Sequence, residues 1–181
     1  MLLSILIIAL IFVILFSVIF SFNVFVLPFT KGVPYVPLRK KQLNYVVNVF
    51  NFNKDLKIVD LGCGDGRVLR KLEKKGFKKL IGYEINLWPY SLAKLKNIFF
   101  RSKSRIVLKN FEKINLSQFD IVFCYLLGSY LEQLKEKFEK ELNPGSKVIS
   151  YGFQVKGWKP SQIITTNKKN IKLGRIFIYQ R

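Results

Sequence analysis

The chain has 181 residues, enough for one ordinary domain with a buried core. Its 31 Lys and Arg outnumber its 11 Asp and Glu, for a formal net charge of +20, and it has no histidine. The lack of histidine excludes Ser-His and Cys-His nucleophilic sites and HExxH zinc sites, so we expect no metal. The charge favours anionic partners, either lipid headgroups or nucleic acid, although a lysine-rich composition explains it equally well.

The first predicted element is an apolar helix. Residues 1–27 contain no charge and only four polar side chains, which are Ser4, Ser17, Ser21 and Asn23. A transmembrane helix needs roughly 20 apolar residues, so we expect a membrane anchor at 1–27. A cleaved signal peptide would need a basic start, a shorter apolar core and a small-residue cleavage site, none of which is present. A buried core helix is the remaining alternative.

The charges around this stretch predict its orientation. Basic residues follow it closely, at Lys31 and in the run 39–41, and none precedes it. The positive-inside rule therefore places the following domain in the cytoplasm. The two cysteines, Cys63 and Cys124, do not form a disulfide framework, and a cytoplasmic domain would keep both reduced.

Residues 28–50 predict a connector and then a helix. The first part cannot continue the apolar helix because of Pro28, Gly32, Pro34 and Pro37. The second part has apolar residues at helical spacing, which are Leu38, Leu43, Val46, Val47 and Phe50. Residues 51–181 are then left for the main domain.

The main domain alternates strands and helices. Strand-like runs occur at 57–61, 79–84, 105–108, 119–126, 147–153, 162–166 and 175–179. Between them, Gly76 is placed to end one helix, Pro89 suits the first turn of another, and Ser129 with Glu132 predicts a capping box. This order predicts an α/β fold, a mostly parallel seven-stranded sheet with helices on both faces. The last two strands have no helix between them, so we expect a C-terminal hairpin with one antiparallel strand.

A glycine-rich loop, DLGCGDG at 60–66, follows the first strand directly. In open α/β sheets ligands bind beyond the carboxyl ends of the strands, and glycines there allow positive φ and a close approach. The dinucleotide fingerprint GxGxxG fails, because its third glycine would fall on Arg67 or Leu69. No GxxxxGK[ST] phosphate loop is present either.

The loop instead resembles the first motif of class I S-adenosylmethionine-dependent methyltransferases, which have a Rossmann-like fold. Their cofactor carries a sulfonium and an ammonium but no phosphate, so an acid at the strand end is favourable. The resemblance implies that Glu84, which ends the second strand, accepts hydrogen bonds from two ribose hydroxyls. It also implies that Asn110, after the third strand, lies near the adenine. The implied cofactor-binding residues are Asp60, Gly62, Gly64, Gly66, Glu84 and Asn110.

More specifically, the chain resembles membrane-anchored protein-lysine methyltransferases related to the mitochondrial enzymes that modify the ATP synthase c-ring protein and the adenine nucleotide translocase. The similar pieces are the apolar start, GVPYVPLRKKQL (32–43), VDLGCGDGR (59–67), GYEIN (82–86), KNF (109–111), the run 120–142 and GFQVKGWKP (152–160). Many members have serine where this chain has Cys63. The resemblance implies methyl transfer to a lysine ε-amine of a membrane protein.

Aromatic side chains are the candidates for the acceptor pocket. Tyr125, at the end of the fourth strand, is the first, and the resemblance adds Pro34, Tyr35 and Trp158; ordinary packing is the alternative for each. Tyr125-Leu126-Leu127-Gly128 replaces the NPPY-type tetrapeptide of base or glutamine amino-group methylation. Two other functions remain open, a membrane-tethered methyltransferase for a lipid or small-molecule amine, and a basic nucleic-acid-binding module that retains the fold.

Overall fold

The computed structural model describes residues 2–22, 35–166 and 174–181. The helices are α1 (Leu2–Ser21), α2 (Lys40–Val49), α3 (Arg67–Lys74), α4 (Leu87–Phe99) and α5 (Gly128–Glu141). The strands are β1 (Lys57–Leu61), β2 (Lys79–Glu84), β3 (Arg105–Leu108), β4 (Ile121–Cys124), β5 (Lys147–Tyr151), β6 (Gln162–Thr165) and β7 (Arg175–Gln180). A single 3-10 turn spans Phe111–Lys113.

The seven strands form one sheet in the order β3-β2-β1-β4-β5-β7-β6. Strands β1 to β5 pair in parallel, and β7 pairs antiparallel with both β5 and β6. The predicted mostly parallel sheet and its C-terminal hairpin are therefore confirmed. After β3 the chain returns to the other side of β1, so the strand order reverses between β1 and β4. A crevice at such a reversal is where open α/β sheets bind ligands.

Alternating side chains of the strands build an apolar layer on each face of the sheet. Ile58 and Phe123 face the layer formed with α2, α3 and α4, whereas Val59 and Val122 face the layer formed with α5. A parallel sheet covered by helices on both sides is buried on both faces, which explains its continuous apolar strands. The prediction of helices on both faces is confirmed.

Local signals at the helix ends give mixed results. Helix α3 ends as predicted at Gly76, whose φ is +98° and whose N–H donates to the Glu73 carbonyl (2.9 Å), in a Schellman motif. The predicted capping box at Ser129 is wrong, because Leu127 is the N-cap of α5 and no side chain caps it. The connection from β4 is so short that α5 begins at Gly128, which places Ser129 inside the helix.

Helix α1 is exposed along its whole length. Among the described residues it alone is long and apolar enough to cross a membrane, with a mean hydropathy of 3.3. Near its end the rings of Phe16 and Phe20 lie edge-on against Trp88 of α4, with centroids 5.4 and 5.9 Å away. The first part of the predicted connector, including Pro34, lies outside the described residues.

Candidate active site

The glycine loop between β1 and α3 is built from left-handed backbone. Gly62, Gly64 and Gly66 have φ values of +74°, +55° and +73°, a region that costs L-residues free energy. Gly64 also has no room for a side chain, because a Cβ there would lie 2.6 Å from Cε2 of Tyr35. The loop can therefore turn sharply at the end of β1 and leave its backbone exposed to a ligand.

Glu84 holds this loop in place from the end of the neighbouring strand β2. Its side chain is buried (6% exposed), Oε2 accepts from the Gly64 N–H (2.8 Å), and Oε1 accepts from the Ile85 (2.9 Å) and Asn86 (2.8 Å) N–H groups. Burial raises the pKa of Glu84, and these three hydrogen bonds oppose the rise. A carboxylate has about four acceptor positions, so Oε2 retains capacity for a ligand hydroxyl.

Asp60 is the second buried acid at this edge of the sheet. Within the part of the chain that the structure describes, its carboxyl has no hydrogen-bond or ion-pair partner. Burial, together with the nearby charges of Glu84 and Asp65, raises the pKa of Asp60 to about 8. An unpartnered buried carboxyl disfavours its own charge, and a cation bound beside it would restore that charge.

A third acid, Asp65, is fully partnered. Its Oδ1 accepts from Nε of Arg67 (2.8 Å), and its Oδ2 accepts from Nη2 of Arg67 (2.8 Å) and Nζ of Lys96 (2.6 Å). Burial would raise the pKa of Asp65, but these hydrogen bonds and charges outweigh it and lower the pKa to about 2. Asp65 is therefore charged at neutral pH and is committed to holding the loop and α4 together.

Arg67 connects the loop to the segment that precedes α2. Its Nη1 donates to the Leu38 carbonyl (2.7 Å) and its Nη2 donates to the Tyr35 hydroxyl (3.3 Å). Residues 35–38 consequently lie across the glycine loop, with the Tyr35 ring on Gly64. Sequence reasoning did not nominate Arg67 or Asp65, although Arg67 ends the motif VDLGCGDGR.

These residues surround a cavity of about 270 Å³ at the point where the strand order reverses. One side of it is acidic, with Asp60 and Glu84 beside the glycine loop. The opposite side is apolar and largely aromatic, and it is formed by Phe111, Phe123, Tyr125, Leu126, Leu127 and Phe153. Residues 35–38 form a further wall. The cavity is thus divided into a half suited to a cationic, hydroxyl-bearing ligand and a half suited to an apolar chain.

Tyr125 contributes to the aromatic side of the cavity. Its ring lies edge-on to Tyr151 with centroids 5.3 Å apart, and burial raises the pKa of its hydroxyl. The hydroxyl is therefore neutral at physiological pH. The structure brings Tyr125 to the same cavity as Asp60, Gly62, Gly64, Glu84 and Tyr35. Its role toward an acceptor stays a prediction.

The other nominated residues do not line this cavity in the described part of the chain. Gly66 is the N-cap of α3. Asn110 caps the 3-10 turn, with its Oδ1 accepting from the Glu112 N–H (2.8 Å), while the adjacent Phe111 reaches the cavity. Trp158 donates from Nε1 to Glu139 Oε1 (2.8 Å), and its ring centroid lies 5.6 Å from that of Tyr179. Pro34 lies outside the described residues.

The sheet order, the glycine loop and the two buried strand-end acids define a class I S-adenosylmethionine-dependent methyltransferase. The fold is similar to that of an RNA methyltransferase from Salinibacter ruber in complex with S-adenosyl-L-homocysteine, with a TM-score of 0.71 and 20% identity. That match covers 80% of this chain and 93% of the other. Residues 60–162 match the family model of the ANTKMT methyltransferase domain, so the chain belongs to that family.

The curated relatives are protein-lysine methyltransferases. A protein-lysine N-methyltransferase of Saccharolobus islandicus is 34% identical over 154 residues, which cover 83% of this chain and 95% of that protein. The human lysine N-methyltransferase of the ATP synthase c-ring protein is 31% identical, and the mouse adenine nucleotide translocase lysine N-methyltransferase is 30% identical; they cover 77% and 76% of this chain. The chain spans 60% of the length of each of these two mammalian proteins.

Proposed function

We propose that this protein transfers a methyl group from S-adenosylmethionine to the ε-amine of a lysine in a membrane protein. The observation that carries the proposal is the division of one cavity into an acidic half and an aromatic half. The lysine specificity of the curated relatives, over most of this chain, supports the choice of acceptor.

The acidic half fits the cofactor. Glu84 retains acceptor capacity for ribose hydroxyls, and the unpartnered Asp60 carboxyl provides negative charge for a cationic ligand. Gly64 leaves the backbone open where a side chain would fill the space. When bound there, S-adenosylmethionine supplies an electrophilic methyl group on its sulfonium.

The aromatic half fits an aliphatic chain that ends in an amine. The rings of Phe123, Tyr125 and Phe153 exclude water, and aromatic faces attract an entering ammonium. Lysine must be neutral to act as a nucleophile, and burial in such surroundings lowers its pKa. Because Asp65 is ion-paired and Glu84 already accepts three N–H bonds, we assign the protein's contribution to positioning and desolvation.

We further infer that residues 1–27 anchor the protein in a membrane as a single span, with residues 28–50 joining the anchor to a catalytic domain at 51–181. Support comes from the apolar α1 and from the basic residues that follow it, which favour a cytoplasmic domain. The relatives' named substrates, the ATP synthase c-ring protein and the adenine nucleotide translocase, are membrane proteins. An anchor raises the local concentration of such a substrate.

The test is methyl transfer to membranes of a strain that lacks the gene. Full-length protein and radiolabelled S-adenosylmethionine are added, and the membranes are separated into protein, lipid and RNA fractions. We expect label in the protein fraction as methyl-lysine, and none with Glu84→Ala protein. Label in a lipid amine or in RNA would contradict lysine as the acceptor and leave the methyltransferase class intact.

A further inference from the structure

Helix α4 presents a line of exposed apolar side chains to its surroundings. Trp88, Leu95 and Phe99 are separated by seven and eleven residues, which at 100° per residue puts them within about 20° of one line on the helix surface. Leu95 is 64% exposed and Phe99 is 79% exposed, and the neighbouring Ile98 is 75% exposed. Single exposed apolar residues are ordinary, but a contiguous group of this size marks an interaction surface.

The same line begins at the apolar helix α1. Trp88 is the residue on which Phe16 and Phe20 pack. Phe20 is the next-to-last residue of α1, so Trp88 lies near the end from which the chain leaves a membrane that α1 crosses. Aromatic rings at that depth favour the membrane interface. Leu95, Ile98 and Phe99 continue from this point along α4, which is about 20 Å long.

Basic side chains border the far end of this line. A shallow pocket of about 160 Å³ is lined by Arg67, Arg70, Lys71, Lys74 and Phe100. Nζ of Lys74 lies 5.6 Å from the centre of the Phe100 ring, and Cζ of Arg70 lies 5.8 Å from it. Both arginines point inward to Asp65, whereas Lys71 and Lys74 are exposed. The surface therefore combines apolar side chains with outward cations.

We propose that Leu95, Ile98, Phe99 and Phe100, together with Lys71 and Lys74, form a membrane-docking surface that lies on an anionic bilayer. The proposal rests on the anchoring of α1 proposed above. Apolar side chains enter the interfacial region, and lysines beside them are attracted to anionic headgroups. Exposed Leu95 and Ile98 favour a bilayer over nucleic acid, because aliphatic side chains add nothing to phosphate contacts.

Docking by this surface has a consequence for the cofactor cavity. Trp88 follows Glu84 closely in the chain, so the anchor and the cavity both lie at the start of α4. Contact at two points, α1 and the far end of α4, limits rotation of the domain about its connector. The cavity is then held at a constant height above the bilayer, within reach of lysines near the membrane surface.

The docking surface is tested with full-length protein reconstituted into vesicles. A fluorophore attached to Phe99→Cys reports contact with lipids that carry a nitroxide quencher, and Lys140→Cys, on the exposed face of α5, is the matched control. The native Cys63 and Cys124 are buried and do not compete for the label. We expect strong quenching at position 99 and little at 140 in vesicles of phosphatidylcholine with phosphatidylglycerol. Equal quenching at the two positions would overturn the proposal.

Charge and self-association are separated in the same system. Each lysine near an anionic surface contributes about fivefold to binding, so Lys71→Gln with Lys74→Gln should weaken docking by about 30-fold. Quenching that is unchanged in this variant and in pure phosphatidylcholine contradicts the role of anionic lipid. A fluorescence change that follows protein concentration instead of lipid indicates a second copy as the occupant, and one that follows added RNA indicates nucleic acid; either outcome overturns the proposal.

A failure of docking can be told from a failure of the proposed function. Recovery of the protein in the soluble fraction after carbonate washing contradicts the anchor itself. If the protein stays in the pellet and binds S-adenosylmethionine, but the label at position 99 is not quenched, only the docking surface is wrong. We expect Ile98→Gln with Phe99→Gln to keep cofactor affinity and activity on a soluble lysine peptide, while methylation in membranes falls several-fold.

Discussion

The ring of Tyr35 covers Gly64, the middle glycine of the loop, so closely that a Cβ at position 64 would lie 2.6 Å from Tyr35 Cε2. The two residues are held in this relation by Arg67, which donates to the Tyr35 hydroxyl and to the Leu38 carbonyl. The segment that links the anchor to the domain is therefore part of the wall of the cofactor cavity.

Gly64→Ala should weaken cofactor binding, because its methyl group displaces Tyr35 from the cavity wall. The left-handed φ of +55° adds a strain of about 1–2 kcal/mol. Gly145→Ala is the matched control, since Gly145 has a φ of +89° and nothing within 4 Å of its Cβ position. Thermal denaturation should show a similar loss in both proteins, whereas calorimetry should show reduced S-adenosylmethionine affinity only for Gly64→Ala. Unchanged affinity in that variant would argue against a role for the Tyr35 contact.

Glu84→Ala should reduce S-adenosylmethionine affinity by about 10- to 150-fold. A hydrogen bond to a charged group contributes roughly 1.5–3 kcal/mol, and the substitution removes the acceptor for the ribose. It also frees the Gly64 N–H, so the glycine loop should exchange its amide hydrogens faster. Glu136→Ala, an exposed acid of α5, is the control for the lost charge. A folded Glu84→Ala protein with unchanged affinity would falsify the cofactor assignment.

Asp60 predicts a pH dependence of both stability and binding. Its pKa is about 8 in the folded protein against an ordinary 3.8, so the folded state binds the extra proton between these values. Its contribution to stability therefore falls as the pH rises from about 4 to about 8. Asp60→Asn should abolish this slope and raise the melting temperature at pH 8 more than at pH 5. A melting temperature that changes equally at both pH values contradicts the assigned pKa.

The same carboxyl should link cofactor binding to proton release. A cationic ligand favours ionised Asp60, so affinity for S-adenosylmethionine should rise as the pH approaches about 8 and level off above it. The rise should be smaller for S-adenosylhomocysteine, which lacks the sulfonium charge, and absent in Asp60→Asn. Calorimetry in buffers of different ionisation enthalpy measures the released proton directly. Equal pH profiles for the two ligands would show that Asp60 does not respond to the sulfonium.

Tyr125→Leu should slow methyl transfer more than it weakens cofactor binding, because Tyr125 lies on the aromatic side of the cavity, with Phe123 and Phe153. Tyr125→Phe keeps the ring and its contact with Tyr151 and should retain most of the activity if the ring alone is needed. The measurement is kcat and KM for a lysine substrate beside the S-adenosylmethionine Kd for each variant. A loss confined to cofactor affinity would place Tyr125 in the cofactor site instead.

The amino-acid sequence by itself determined the class of fold and the acidic half of the site. The seven strands lie within a few residues of their predicted positions, since apolar runs bounded by turn residues are local signals. Once strands and helices alternate, right-handed crossovers bring the carboxyl ends of β1 and β2 to one edge. Asp60 and Glu84 follow there directly, because each is positioned by its own strand.

Only the tertiary structure decided the contacts between segments distant in the chain. Arg67 reaches Leu38 and Tyr35 because α3 and the segment before α2 pack together, and no spacing in the sequence encodes that distance. Asn110 and Trp158 show the same limit in the opposite direction, since both follow family motifs yet bond to Glu112 and Glu139 away from the cavity. Hydrogen bonds depend on where the packed backbone leaves each side chain, and packing is a property of the whole fold.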